Sequence, residues 1–138
     1  AKGVYMGQDL PRFAKRYGMD LKFNPHFPVN TLQLMRGFYA AGELGVQETY
    51  LEAMFNAMWL EEKNMGELDV VSEVLTRAGL DAAMFAEKIA DPAIKQTLIA
   101  DTEAAVARGV FGAPTFFIGE EMFFGQDRLD FVEERLAA

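Results

Sequence analysis

Apolar residues recur at intervals of three and four along most of this chain, and that spacing predicts a succession of helices. Leu10, Phe13 and Tyr17 place a short amphipathic helix from about Asp9 to Tyr17, with Gly18 as its C-terminal stop. The segment Phe23-Asn24-Pro25-His26-Phe27-Pro28 breaks the pattern, because each proline drives the residue before it toward extended backbone. Asn30 stands where an N-cap belongs, ahead of a helix from about Thr31 to Ala41 carrying Leu32, Met35, Phe38 and Tyr39. A longer helix is predicted from Val46 to Lys63, with Tyr50, Leu51, Met54, Phe55, Met58 and Trp59 at helical spacing. Asp69 opens a helix that Gly79 closes, and Asp81 opens the next. Asp91-Pro92 reads as an N-cap with proline at the first helical position, starting a helix that ends before Gly109.

The period then changes. Thr115-Phe116-Phe117-Ile118 is a short β-prone run, Gly119-Glu120 a turn and Met122-Phe123-Phe124 a second strand, so a hairpin is expected. Asp127 then reads as the cap of a last helix from Arg128 to Leu136. The pattern divides the chain into a mainly helical part, 1–108, and a β-β-α part, 109–138. A lone two-stranded hairpin is marginal in water. Further strands, from upstream or from a partner chain, are expected to complete its sheet.

Composition narrows the function. The chain has 138 residues, 51% of them hydrophobic, with 12 Phe, enough for a packed core. Its formal net charge of −8 argues against a phosphate-backbone partner, which needs a Lys/Arg surface. With no cysteine and a single histidine, His26, the chain holds no disulfide, no thiolate or polyhistidine metal site and no CxxC pair. No apolar run approaches the ~20 residues of a membrane span. His26 reads as a packed or solvent-facing loop residue. Trp59 and the methionine stripe read as core or as the wall of an apolar pocket.

Four segments together carry a resemblance: Lys2-Gly3-Val4-Tyr5, Phe23 through Thr31 (FNPHFPVNT), Gly109 through Ile118 (GVFGAPTFFI) and Phe124-Gly125-Gln126-Asp127-Arg128-Leu129. In this order they resemble the 2-hydroxychromene-2-carboxylate isomerase and kappa-class glutathione transferase branch of the thioredoxin-fold superfamily. The resemblance implies an α+β or α/β, thioredoxin-like fold of DsbA type, in which a large helical insertion separates β-α-β from β-β-α. The insertion and the β-β-α half match this chain. The first β-α-β, which carries the family's catalytic serine, has no counterpart among these residues, and Ser72, the one serine, lies within a predicted helix. The expectation is therefore a chain lacking the catalytic segment and inactive by itself.

The resemblance also implies the site. It places glutathione against Ala113, Pro114, Phe124, Gly125, Gln126 and Asp127, with Lys2 nearby, and the organic substrate against Asn30. It implies a cis bond between Ala113 and Pro114, which turns the Ala113 N–H and C=O outward, where an extended peptide can pair as an added strand. A helix N-terminus at Gln126-Asp127 suits a carboxylate, and the Asp127 side chain an α-ammonium. Asp127 and Asn30 have plainer readings as helix caps. Gln126 and Phe124 stand where the isomerase pattern often has Asn and Trp.

The implied activity is glutathione-dependent isomerisation in aromatic catabolism, with a small aromatic substrate. The nucleophile belongs to the cofactor, so a chain without cysteine can serve it. Alternatives are a kappa-type transferase or peroxidase and a non-catalytic fragment; a DsbA-like thiol oxidase ranks below them. The resemblance further implies a cytoplasmic homodimer, and neither it nor the composition implies a metal, nucleic acid or membrane partner.

Overall fold

The helical spacing becomes α1 (Lys2–Tyr17), α2 (Leu32–Glu43), α3 (Gln47–Trp59), α4 (Leu68–Arg77), α5 (Ala82–Ala90) and α6 (Pro92–Ala107). The hairpin follows as β1 (Thr115–Ile118) and β2 (Glu121–Phe124), then a 3₁₀ turn, Gln126–Arg128, and α7 (Leu129–Ala137). This computed structural model describes residues 2–138. Packing separates two units, one reaching to Leu98 and the other running Ile99–Ala138, with the division inside α6.

The core of the first unit lies among α2, α3, α4 and α5. Ala40 and Ala41 of α2, Tyr50, Met54 and Ala57 of α3, Val71, Val74 and Leu75 of α4, and Phe85 of α5 are all buried. Tyr50 and Phe85 stack with ring centroids 5.3 Å apart and planes 6° from parallel. The Tyr50 hydroxyl donates to the Leu34 carbonyl at 2.8 Å, which satisfies its one polar atom inside the core. Gly37 makes this possible, because a Cβ there would stand 2.2 Å from the hydroxyl oxygen. Burying a side chain of the size of Phe85 contributes about 1.5–3 kcal/mol.

Helix α3 stops at Trp59 rather than at Lys63, and the reason is a competing set of donors. Its last carbonyls are all taken: Asn56 by the Leu60 and Glu61 amides, Ala57 by Lys63, and Trp59 by Lys22 at 2.7 Å. Met58 receives the side-chain amide of Asn24 at 2.8 Å, and the same nitrogen donates to the Lys63 carbonyl at 2.7 Å. Asn24 Oδ1 accepts from the His26 amide. Asn24 is fully buried, so the irregular segment between α1 and α2 is fastened to the end of α3 by one side chain.

The other helix ends follow the sequence signals. Asp81 accepts from the Ala83 and Met84 amides, and Asp91 from Ala93. Gly18, Gly79 and Gly109 carry positive φ just beyond α1, α4 and α6. Helix α4 begins one residue before the expected Asp69. Helix α1 differs more. It runs back to Lys2 and contains Pro11, and its added turns leave Val4, Tyr5 and Met6 exposed. With nothing buried there, no apolar period announces those turns.

In the second unit β1 and β2 pair antiparallel, Thr115 opposite Phe124 and Ile118 opposite Glu121. Gly119, at φ 61°, makes the turn. Among the described residues the sheet has these two strands. Helix α7 packs on β1, and Arg135 ties it to Glu121 of β2 at 3.0 Å. The Arg108 guanidinium lies 3.5 Å from the Phe117 ring centroid, a cation–π contact onto β1.

Candidate functional site

Apart from Lys2, the residues singled out for cofactor binding gather at the open end of the hairpin. The chain leaves α6 at Gly109, crosses Val110–Pro114 and enters β1. The Ala113–Pro114 peptide is cis, as the resemblance implied. Thr115 Oγ1 donates to the Gly112 carbonyl at 2.7 Å and holds the turn. Across the hairpin the Gly125 amide donates to the Pro114 carbonyl at 2.9 Å, joining the Ala113-Pro114 and Phe124-Gly125 segments directly.

Two glycines are required for this approach. A Cβ on Gly112 would sit 2.8 Å from the Phe124 ring. Gly125 is buried, has φ 101°, and a Cβ there would meet an Asp127 carboxylate oxygen at 2.5 Å. The Phe124 ring also packs on Phe111, centroids 4.6 Å apart. Phe111 was not among the sequence-derived site residues; its signal was only its place in the GVFGAPT run.

Ala113 and Pro114 are exposed. Among the described residues the Ala113 N–H and C=O have no hydrogen-bond partner. A donor and an acceptor presented together from an extended turn are what an added peptide strand pairs with.

Asp127 departs from the expected cap. Gln126–Arg128 is a 3₁₀ turn, α7 starts at Leu129, and the cap position falls on Arg128 with no side-chain bond. The Asp127 carboxylate turns to its neighbour and pairs with the Arg128 guanidinium. Both side chains are about half exposed, so this pair is weak and exchangeable. The sequence did not signal Arg128 as the partner of this carboxylate. The Lys2 side chain lies outside the described residues.

Asn30 belongs to the first unit. It is exposed, and its Oδ1 accepts from the Leu32 amide at 3.0 Å. Thr31 holds the formal cap position without a side-chain bond, so Asn30 does the capping from one residue further back. Its neighbours Val29 and Thr31 border an apolar groove of about 460 Å³, walled by Phe27, Met35, Phe38, Phe55 and Trp59. Phe23, Phe27 and Trp59 form one aromatic cluster beside it, centroids 5.6–6.3 Å apart. The Met54 and Met58 side chains line the groove, as a pocket wall, while remaining largely buried. His26 is an exposed loop residue next to Asn24. Among the described residues no helix is long and apolar enough to cross a membrane.

The sequence matches the family model of the DSBA-like thioredoxin domain over residues 1–137. The chain belongs to this family. As a DSBA-like thioredoxin domain it has a helical majority and a small two-stranded sheet. It is 33% identical over 132 residues to 2-hydroxychromene-2-carboxylate isomerase of Pseudomonas putida, covering 96% of this chain and 64% of that protein. It is 29% identical over 153 residues to glutathione S-transferase kappa 1 of Homo sapiens, covering 98% of this chain and 66% of that protein. A solved structure of 2-hydroxychromene-2-carboxylate isomerase superposes with a TM-score of 0.86 at 32% identity, over 99% of this chain and 66% of that one. The DSBA-like domain described here thus spans somewhat under two thirds of the length of the relatives it matches.

Proposed function

We infer that this domain serves a glutathione-dependent isomerase of the 2-hydroxychromene-2-carboxylate isomerase type. The observation that carries the reading is the Ala113–Pro114 turn, with its unpaired N–H and C=O beside Phe124-Gly125. The relatives named as isomerases support the reaction type.

Ala113 would hold the peptide backbone of glutathione through both of its main-chain groups. Asp127 would take the α-ammonium in place of Arg128, and the Gln126 region the adjacent carboxylate. When bound, glutathione supplies the thiolate that adds reversibly to the conjugated carbon of the substrate and so permits bond rotation. On the substrate side the reading assigns Asn30, whose exposed side chain caps the start of α2. The serine that the resemblance makes the thiolate's hydrogen-bond donor has no counterpart here, since Ser72 lies within α4. The 138 residues by themselves are therefore expected to bind glutathione without turnover. Homodimerisation and a cytoplasmic location belong to the same reading.

A ¹⁵N-labelled sample titrated with glutathione tests the site: amide shifts centred on Ala113, Gly125 and Gln126 are expected. Their absence at millimolar glutathione would remove the reading. Turnover is then compared between this chain and the same chain joined behind the first β-α-β of the Pseudomonas relative, using trans-o-hydroxybenzylidenepyruvate. Equal turnover by both would overturn the assignment of the thiolate donor to that segment. Conjugation of glutathione to an aryl halide without isomerisation would instead favour the kappa-type transferase, which the human relative's name raises as the second reading.

A further inference from the structure

A second cavity, of about 420 Å³, lies in the first unit between α2, α4, α5 and the start of α6. It is separate from the aromatic groove and shares no lining residue with it. Most of its wall is apolar, with Val71, Leu75 and Ile89 among the contributors. Two polar side chains one helical turn apart on α2 also line it, and each has a buried atom without a partner: Gln33 Oε1 and Arg36 Nε. Lys95 reaches the same cavity from α6. Among the described residues neither Arg36 nor Lys95 has a carboxylate partner, although the chain carries a net charge of −8.

Half-buried cations without a counter-ion are costly, and a buried donor and acceptor left open are costly again. Convergent polar groups in an otherwise apolar hollow are the signature of a small-molecule site. We propose that this cavity binds a small organic carboxylate with an apolar body. Arg36 and Lys95 receive the carboxylate. The hydrocarbon lies on Leu75 and Ile89, and Ser72 offers a further donor at the edge. Asp69 also borders the cavity but is exposed, so it limits the site to singly charged anions rather than closing it to them. The proposal does not depend on the glutathione reading, since every residue it uses lies outside that site.

The test is an NMR titration of the full 138-residue chain with octanoate, with octane-1,2-diol and acetate as controls. The expected result is saturable shifts in α2, α4, α5 and the first turns of α6 for octanoate alone. Arg36→Met should weaken that binding by roughly tenfold or more, the scale of one lost charge-assisted hydrogen bond. Lys95→Gln, at a position half open to solvent, gives a second reading should Arg36→Met fail to fold, and is expected to weaken binding in the same direction. Shifts confined to the aromatic groove around Trp59, equal response to the diol, or no effect of either substitution would overturn the proposal. So would shifts that follow protein concentration and not the probe, which would assign the cavity to a second copy of the chain.

Discussion

Asn24 and Gly125 are the two residues whose replacement most sharply separates structure from function. Asn24→Ala leaves the Met58 and Lys63 carbonyls without their donor in a buried setting. The expected loss is about 2–3 kcal/mol, readable as a lower midpoint in urea with little change in slope. Gly125→Ala asks a Cβ to adopt φ 101° and to occupy space held by Asp127. It is expected to cost about 1–3 kcal/mol and to abolish glutathione shifts at Ala113, because the Gly125–Pro114 bond sets that turn. Loss of stability with unchanged glutathione binding would show that Gly125 serves only the hairpin. At this scale the turn was partly legible: the Ala113–Pro114 bond is cis, and the Gly125 amide joins it to the end of β2. Asn24 was not, because an asparagine between a phenylalanine and a proline looks the same whether it faces solvent or two carbonyls. Asp127 looked like a cap because acidic residues before helices usually are, and the adjacent arginine offered its carboxylate another partner.

Between elements, the contact of α2 with α3 turns on Tyr50. Burial pushes its phenol well above the ordinary value near 10, since the phenolate is poorly solvated in the core. The folded state therefore keeps this proton at pH values where the unfolded chain releases it. Stability is unaffected below pH 10 and falls as pH rises above it. Tyr50→Phe is expected to cost about 1 kcal/mol at neutral pH through the lost bond to Leu34, and to flatten the alkaline loss seen in thermal melts between pH 9 and 11. A parallel alkaline loss in Tyr50→Phe would assign the effect to other groups. Helix starts at Asp81 and Asp91 and stops at positive-φ glycines were readable because each signal acts within one turn of its helix. The end of α3 was not, since the donors that finish it come from Lys22 and Asn24, more than thirty residues away in sequence.

Across the molecule the buried side chains concentrate in the first unit, whereas the hairpin and α7 are at best half-buried. Hydrogen exchange should reflect this: amides in α3 and α4 are expected to be the most protected, and those of β1 and β2 to exchange orders of magnitude faster. Addition of glutathione should slow the hairpin amides selectively. Equal protection of both units without ligand would contradict the picture of a well-packed helical unit and a weakly supported sheet. The two-part reading of helices followed by β-β-α came from the change in apolar period near Gly109. What periodicity could not supply was α1 before Asp9, whose apolar residues face solvent.

The side-chain clasp at Asn24 also has a chemical lifetime. Asparagines age when the backbone nitrogen of the next residue attacks the side-chain amide, a route that ends in aspartate. The next residue here is Pro25, which has no N–H to attack with. The one fully buried polar side chain among the described residues is therefore shielded from the common path of deamidation. A preparation stored for months should keep the end of α3 fastened, and would not come to hold a carboxylate facing two carbonyl oxygens.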